Sequence, residues 1–324
     1  MTTTSPWRPP RALNGPLPAR LTDIDALNQV FSDAFTERYR RDGLVGVRVP
    51  HLNPTIWRYA IEDADGGAML WRDERDEIVA FNIAHHSGVE GWMGPLAVRP
   101  DWQGTGVGKS VVLAGVDWLR SRRARVIGLE TMPRTMDNIG FYSALGFEPG
   151  RLTITLTLDA ATSDSAVPLL GTLPARDKDD MLAQCLRITR EQLPGYDFTR
   201  ELILSQELGL GDVALLLDKG ELAGFALFHA APLVEGRSRE ELRVLKLVAR
   251  NPRDIESLAT VLAAAARRAG TRRVAIRVQG EYRDAYRRLV ARGARVRWTD
   301  LRMTLAGSPE QVARDGVVLS NWEI

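Results

Sequence analysis

The stretch RPDWQGTGVGKSVV, residues 99–112, brings together a proline, a glutamine, three alternating glycines and a Gly-Lys-Ser. Such a loop exposes backbone N–H groups where a helix begins, which suits the phosphate oxygens of a nucleoside triphosphate, a dinucleotide or coenzyme A. Spacing separates the three. A P-loop needs a glycine five places before Gly108 of Gly108-Lys109-Ser110, and Gln103 stands there. A dinucleotide fingerprint opened by Gly104 and Gly106 needs a third glycine where Lys109 falls.

What the spacing does fit is Gln103-x-x-Gly106-x-Gly108, with Val98 and Pro100 just upstream. This resembles the acetyl-CoA signature [Q/R]-x-x-G-x-[G/A] of the GNAT acyltransferase superfamily, preceded by a strand that ends in V-x-P. The resemblance implies a pyrophosphate held by Gln103, Gly104, Thr105, Gly106, Val107, Gly108, Lys109 and Ser110. It also implies a pantetheine arm paired with the backbone of Leu96, Ala97 and Val98, where that strand splays from its neighbour at a bulge. The physical part is simple: glycines lack the Cβ atoms that would hold phosphates away, and the positive end of the following helix points at the same place.

A second piece, TMDNIGFYSALGF at 135–147, resembles the family helix N-x-x-[A/N]-x-x-[F/L]-Y-x-x-x-G-F through Phe141, Tyr142, Gly146 and Phe147. Thr135 occupies the place of the opening Asn and Asn138 lies three positions later. The resemblance implies that a polar group on this helix bonds the pantetheine arm, Thr135 or Asn138, with Asn138 favoured. The resemblance makes Tyr142 the general acid for the departing thiolate, with the Val98 N–H as oxyanion donor. For the general base, Glu90 shares the alternation of Trp92, Leu96 and Val98 along the approaching strand. His85 and His86 are its rivals, and His85 has a counterpart, His229, in the second half of the chain.

That second half repeats the first. EIVAFNIAH (77–85) aligns without a gap on ELAGFALFH (221–229), and YSALGF aligns on LVARGA through Gly146 and Gly293. The order of expected helices and strands agrees as well, α-β-β-β-α-β-α-β in the first half. The chain therefore reads as an α/β protein of the α+β kind: two tandem GNAT-type domains, each a mixed, mostly antiparallel sheet flanked by helices. Boundaries are expected at a flexible arm (1–16), a coenzyme-binding domain (17–160), a linker (161–167) and a degenerate domain (168–324). Where the first half has VRPDWQGTGVGKS the second has VARNPRDIESLAT, with no glycine and with Asp254 and Glu256, and Leu289 replaces Tyr142. The duplication resembles the mycothiol synthase family of two-domain acetyltransferases.

Composition sets the remaining bounds. With 324 residues, two domains are a better prior than one. Lys and Arg total 43 against 41 for Asp and Glu, so no global charge points to nucleic acid. The basic run Arg120, Arg122, Arg123 and Arg125 suits a helix C-terminus, or else a coenzyme phosphate or acidic substrate. Cys185, the single cysteine, sits in an apolar helical pattern and reads as a buried structural thiol. No run long enough to span a membrane and no export signal occurs, so the expectation is a cytoplasmic monomer or homodimer without a metal. The expected activity is transfer of an acetyl group from acetyl-CoA to a primary amine of a small molecule, by direct attack in a ternary complex. Protein or peptide acetylation, and a non-catalytic acetyl-CoA-binding regulatory module, are the alternatives.

Overall fold

The computed structural model describes residues 12–163 and 166–323. Most of the expected arm lies outside the described residues, but its last part does not behave as an arm. Leu13–Pro18 forms an edge strand, β1, against Ala68–Asp73 (β2). A helix, α1 (Ile24–Arg41), then buries Leu27, Val30 and Ala34 as its apolar periodicity requires. Asp23, just before it, accepts the Arg20 N–H and pairs with Arg72, which closes the turn. The short helix α2 (Pro54–Asp63) was not evident from the pattern. It starts with proline at its first position and Asn53 accepting the Thr55 N–H at 3.0 Å.

From β2 the chain continues as expected through β3 (Ile78–Ser87), β4 (Glu90–Val98), α3 (Val107–Ser121), β5 (Val126–Thr131), α4 (Met136–Ala144) and β6 (Phe147–Asp159). The second half follows with α5 (Ala175–Gln192), α6 (Thr199–Glu207), β7 (Gly211–Asp218), β8 (Glu221–His229), β9 (Glu241–Ala249), α7 (Asp254–Arg268), β10 (Arg273–Gln279), α8 (Arg283–Ala291) and β11 (Arg295–Leu305). A last strand, β12 (Val317–Ser320), was not expected. The duplication is visible residue by residue. Helices α3 and α7, and α4 and α8, begin and end 147 positions apart, and Gly146 and Gly293 close the second pair at φ +88° and +90°. Cys185 is buried in α5, and burial pushes its thiol up to about 12.

All these strands form one sheet in the order β1-β2-β3-β4-β5-β11-β6-β10-β9-β8-β7, with β12 added to β9. Only β4–β5 and β9–β10 run parallel. The centre of this order departs from two self-contained sheets. β11, from the second half, lies between β5 and β6 of the first, and β6 lies between β11 and β10 of the second. The halves thus exchange their last strands, and the linker joins two parts of one continuous sheet.

A fragment ending at residue 163 leaves β5 and β6 with no strand between them and two unpaired edges. Expressed alone, it is expected to elute as oligomers or aggregates, and co-expression with residues 166–324 to recover a one-to-one complex. A monomeric fragment with cooperative unfolding would contradict the exchange.

Candidate functional site

β4 and β5 pair from Glu90↔Val126 to Met93↔Leu129, and then part. Beyond Gly94, β4 keeps only its β3 side, through Asn82↔Leu96, Phe81↔Ala97 and Ala80↔Val98, while β5 continues beside β11. A V-shaped gap opens between two parallel strands. Its β4 wall is set by one hydrogen bond, Arg99 N–H to the Val79 carbonyl at 2.8 Å. By the alternation of an antiparallel pair, Ala97 then bonds β3, while the N–H and C=O groups of Leu96 and Val98 point into the gap. The Gln103 side chain donates to the Val98 carbonyl at 3.0 Å, so the glutamine of the motif anchors the loop to the strand end.

The loop that follows is built for an anion. Gly104 and Gly106 take φ +76° and +92°, a left-handed backbone that glycine adopts at little cost, and nothing lies within 4 Å of where a Cβ would stand. Among the described residues the N–H groups of Gly104, Thr105 and Gly106 donate to no backbone carbonyl. Thr105 fixes the turn by donating to the Trp102 carbonyl at 2.6 Å. Helix α3 starts at Val107 with Lys109 and Ser110 exposed, and an added Cβ at Gly108 would meet Phe141 of α4 at 3.3 Å. The basic run lies at the other end of α3, about 20 Å away at 1.5 Å per residue. Arg122 there stacks on Trp118 and pairs with Asp65, and Arg125 donates to the Pro194 carbonyl, so these cations do not serve the loop.

The far wall comes from β5 and α4. Asn138 donates to the Thr131 hydroxyl at the end of β5, 3.4 Å away, and stays partly exposed. Thr135 is fully buried and faces Asp42 instead. The Tyr142 ring packs against Phe141 and Phe147, burial pushes its hydroxyl up to about 12, and that hydroxyl forms no hydrogen bond among the described residues. It is therefore a protonated donor at neutral pH with no acceptor among the described residues.

Glu90 does not fit the role expected for it. Its carboxylate is 1% exposed and both oxygens are taken, by the Ser320 hydroxyl at 2.7 Å and the Trp322 indole N–H at 2.9 Å, with Lys246 3.7 Å away. The alternation argument fails because a β-bulge intervenes: Ala84 pairs with Met93 but Asn82 with Leu96, so one extra residue of β4 reverses the faces. Glu90 therefore shares its face with Ala97 rather than with Leu96 and Val98, about 13 Å from the gap at strand rise. His85 is fully buried, 2.6 Å from Asp63 and stacked on Trp92, and its counterpart His229 is as deeply buried, 2.8 Å from Ser205. His86 borders a groove of about 560 Å³ at the opposite end of the strand, and burial holds it below its usual range.

The family model of the GNAT acetyltransferases matches residues 25–147, the segment that carries the gap, the loop and Tyr142. This segment belongs to the GNAT acetyltransferase family. No curated protein matches the chain in sequence. Solved structures share its fold over nearly the whole length. A Pyrococcus horikoshii protein whose proposed activity is acetyl transfer is 19% identical at TM-score 0.65, covering 96% of this chain and 95% of that one. A GCN5-related N-acetyltransferase from Sphaerobacter thermophilus is 18% identical at TM-score 0.57, covering 93% and 97%. The tandem GNAT protein from the clavulanic acid biosynthesis pathway is 12% identical at TM-score 0.57, covering 93% and 100%.

The second GNAT-like half opens the same gap between β9 and β10 after Arg243↔Ala275, but fills it itself. β12 pairs along Lys246–Ala249 from Ser320 to Val317, on the stretch of β9 that corresponds to the free end of β4. Asp254 and Glu256 sit in the first turn of α7, and Leu289 is fully buried where Tyr142 stands in the first half. The segment after β12 then crosses to the first half. The Trp322 ring covers Gly128 of β5, and its carbonyl lies 3.4 Å from a Cβ built on Gly94, where the gap begins.

Glu90 thus joins this segment, β9 and β4. Glu90→Gln leaves two donors facing an amide with one acceptor oxygen and is expected to cost about 1–3 kcal/mol in urea unfolding. Turnover is expected to keep its pH dependence. Full stability with a shifted pH profile would restore Glu90 as the base.

Proposed function

We propose that the protein transfers the acetyl group of acetyl-CoA to a primary amine of a small molecule, by direct attack at the gap between β4 and β5. The observation that carries this reading is the coincidence at one place of an unpaired strand edge, a loop of free backbone donors and an unengaged tyrosine hydroxyl. Gly104 to Gly108 and the start of α3 receive the pyrophosphate, with Lys109 and Ser110 adding side-chain donors. The Leu96 and Val98 backbone pairs with the pantetheine arm, as β12 pairs with β9 in the other half, and Asn138 bonds the arm from the opposite wall. The amine nitrogen attacks the thioester carbon, the oxyanion is held by the Val98 N–H, the carbon–sulfur bond breaks, and Tyr142 gives its proton to the leaving thiolate.

One site serves the chain, because β12 occupies the corresponding gap of the second half. A module that only senses acetyl-CoA has no use for a tyrosine held protonated and unpaired beside the gap, and this favours turnover.

Thiol release from acetyl-CoA with a panel of small amines tests the proposal. Tyr142→Phe is expected to lower kcat by about 10²-fold or more, the typical contribution of a general acid. Gly106→Glu, which places a carboxylate on the anion loop, is expected to raise the KM for acetyl-CoA at least tenfold. Full transfer by both variants with every accepted amine would refute the mechanism.

A further inference from the structure

With Glu90 committed to the interior, the acceptor's proton needs another destination. The segment after β12 brings a carboxylate to this neighbourhood: Glu323 follows Trp322, whose carbonyl lies where the gap begins at Gly94, and it sits beside Glu130 of β5. Glu130 of β5, Asp300 of β11 and Glu323 each offer an oxygen within 4.8 Å of the others, and the Arg277 guanidinium lies among them. It reaches Glu130 at 2.5 Å, Asp300 at 3.0 Å and Glu323 at 2.7 Å, and so occupies the place of a cation.

The three acids are not equivalent. Glu130 is 3% exposed and also accepts from Arg302 and Thr153; burial pushes it up, but Arg277 and Arg302 carry it below its usual value. Asp300 is 4% exposed and also accepts from the Trp298 indole, and burial raises it. Of the three, Glu323 alone is half exposed, with one oxygen on Arg277 and the other without a hydrogen-bond partner among the described residues. The surroundings are unfinished. Thr155, cross-strand neighbour of both Arg277 and Trp298, is 9% exposed, and among the described residues neither its hydroxyl nor Arg277 Nε has a hydrogen-bond partner. Arg134 of the β5–α4 loop lies over the Trp298 ring at 5.7 Å and 3.8 Å from Asp42, which closes the recess on the α1 side.

We propose that Glu323 accepts the proton of the incoming ammonium group, so that the acceptor side of the first half's site is completed by the second half and the segment that follows it. This rests on the acetyl-transfer reading above. An ammonium gives one proton to the Glu323 carboxylate, which passes it to solvent. The freed lone pair forms the carbon–nitrogen bond. As the carbon–sulfur bond breaks, the thiolate takes the Tyr142 proton, and the second proton leaving nitrogen restores the tyrosine. The products are amide, coenzyme thiol and one proton. Partial loss of solvent around Glu323, with Asp300 and Glu130 adding to it against Arg277 and Arg243, raises its carboxyl above the usual range, and Tyr39 of α1 also faces it.

The test measures thiol release from acetyl-CoA with 2-phenylethylamine, 1,4-diaminobutane and glucosamine across pH 5.5–9, for the full chain and for Glu323→Gln and Glu323→Asp. Glu323→Gln is expected to lower kcat/KM for the amine on the order of 10²-fold. It is also expected to remove the acid limb of the pH profile and to leave the KM for acetyl-CoA unchanged. Glu323→Asp is expected to keep the limb at a reduced rate. An unaltered limb in Glu323→Gln, or a loss shared equally by acetyl-CoA affinity, overturns the assignment while leaving acetyl transfer intact. A full chain that binds acetyl-CoA but releases no thiol with any of the three amines overturns the transfer reading, and this inference with it.

Discussion

The antiparallel pair of β6 and β11 crosses the middle of the sheet, and each of these strands also pairs with the half from which it does not come. The acid cluster beside β5 depends on this exchange. Because β11 runs beside β5, Arg302 and Asp300 of the second half lie next to Glu130 of the first. Because β6 runs beside β10, Arg277 reaches the same point from the other side. A buried ion network across a strand exchange gains little net energy from the ions themselves, since desolvation offsets their attraction. Its effect is on register: an Arg302 shifted by one residue would lose Glu130, Glu310 and the Ser320 carbonyl together.

The two halves show one architecture put to different uses. Each opens a gap where its parallel strands part. In the first half the gap stays open beside a glycine loop, and in the second β12 enters it as an extra strand. The same free backbone that suits a pantetheine arm suits a peptide strand, since both present alternating donors and acceptors to an exposed edge. Filling the second gap also directs the chain that follows. Trp322 and Glu323 leave β12 toward the first half, where Trp322 seats against Gly128 and bonds Glu90. Lys246 of β9 lies between Glu90 and Glu201, 3.7 Å from each, and ties the interior of one half to the other.

Much of this was legible in the residues. Gln103, Gly106 and Gly108 placed the loop between a strand and a helix, with glycines leaving room where a Cβ would stand; the left-handed φ values at Gly104 and Gly106 are not part of that reading. The repeat was legible through Gly146 and Gly293, because a helix that ends in a left-handed glycine leaves a local mark. The exchange was not, since the alternation along β6 and β11 satisfies either partner equally well and carries no record of which strand lies alongside. Glu90 shows the same limit at one side chain: alternation alone put it beside Leu96 and Val98, and a bulge of one residue turned it inward. Ser320 and Trp322, which hold it, approach from more than two hundred residues away. Tertiary contacts at that separation leave no local periodicity.

One open gap and one filled gap per chain imply a single coenzyme site, and isothermal titration of the full chain with acetyl-CoA tests this most directly. One equivalent bound per chain, at least tenfold more weakly when Gly106 is replaced by glutamate, is the predicted result. Two equivalents, or one whose affinity that replacement leaves unchanged, would place the coenzyme elsewhere and contradict it.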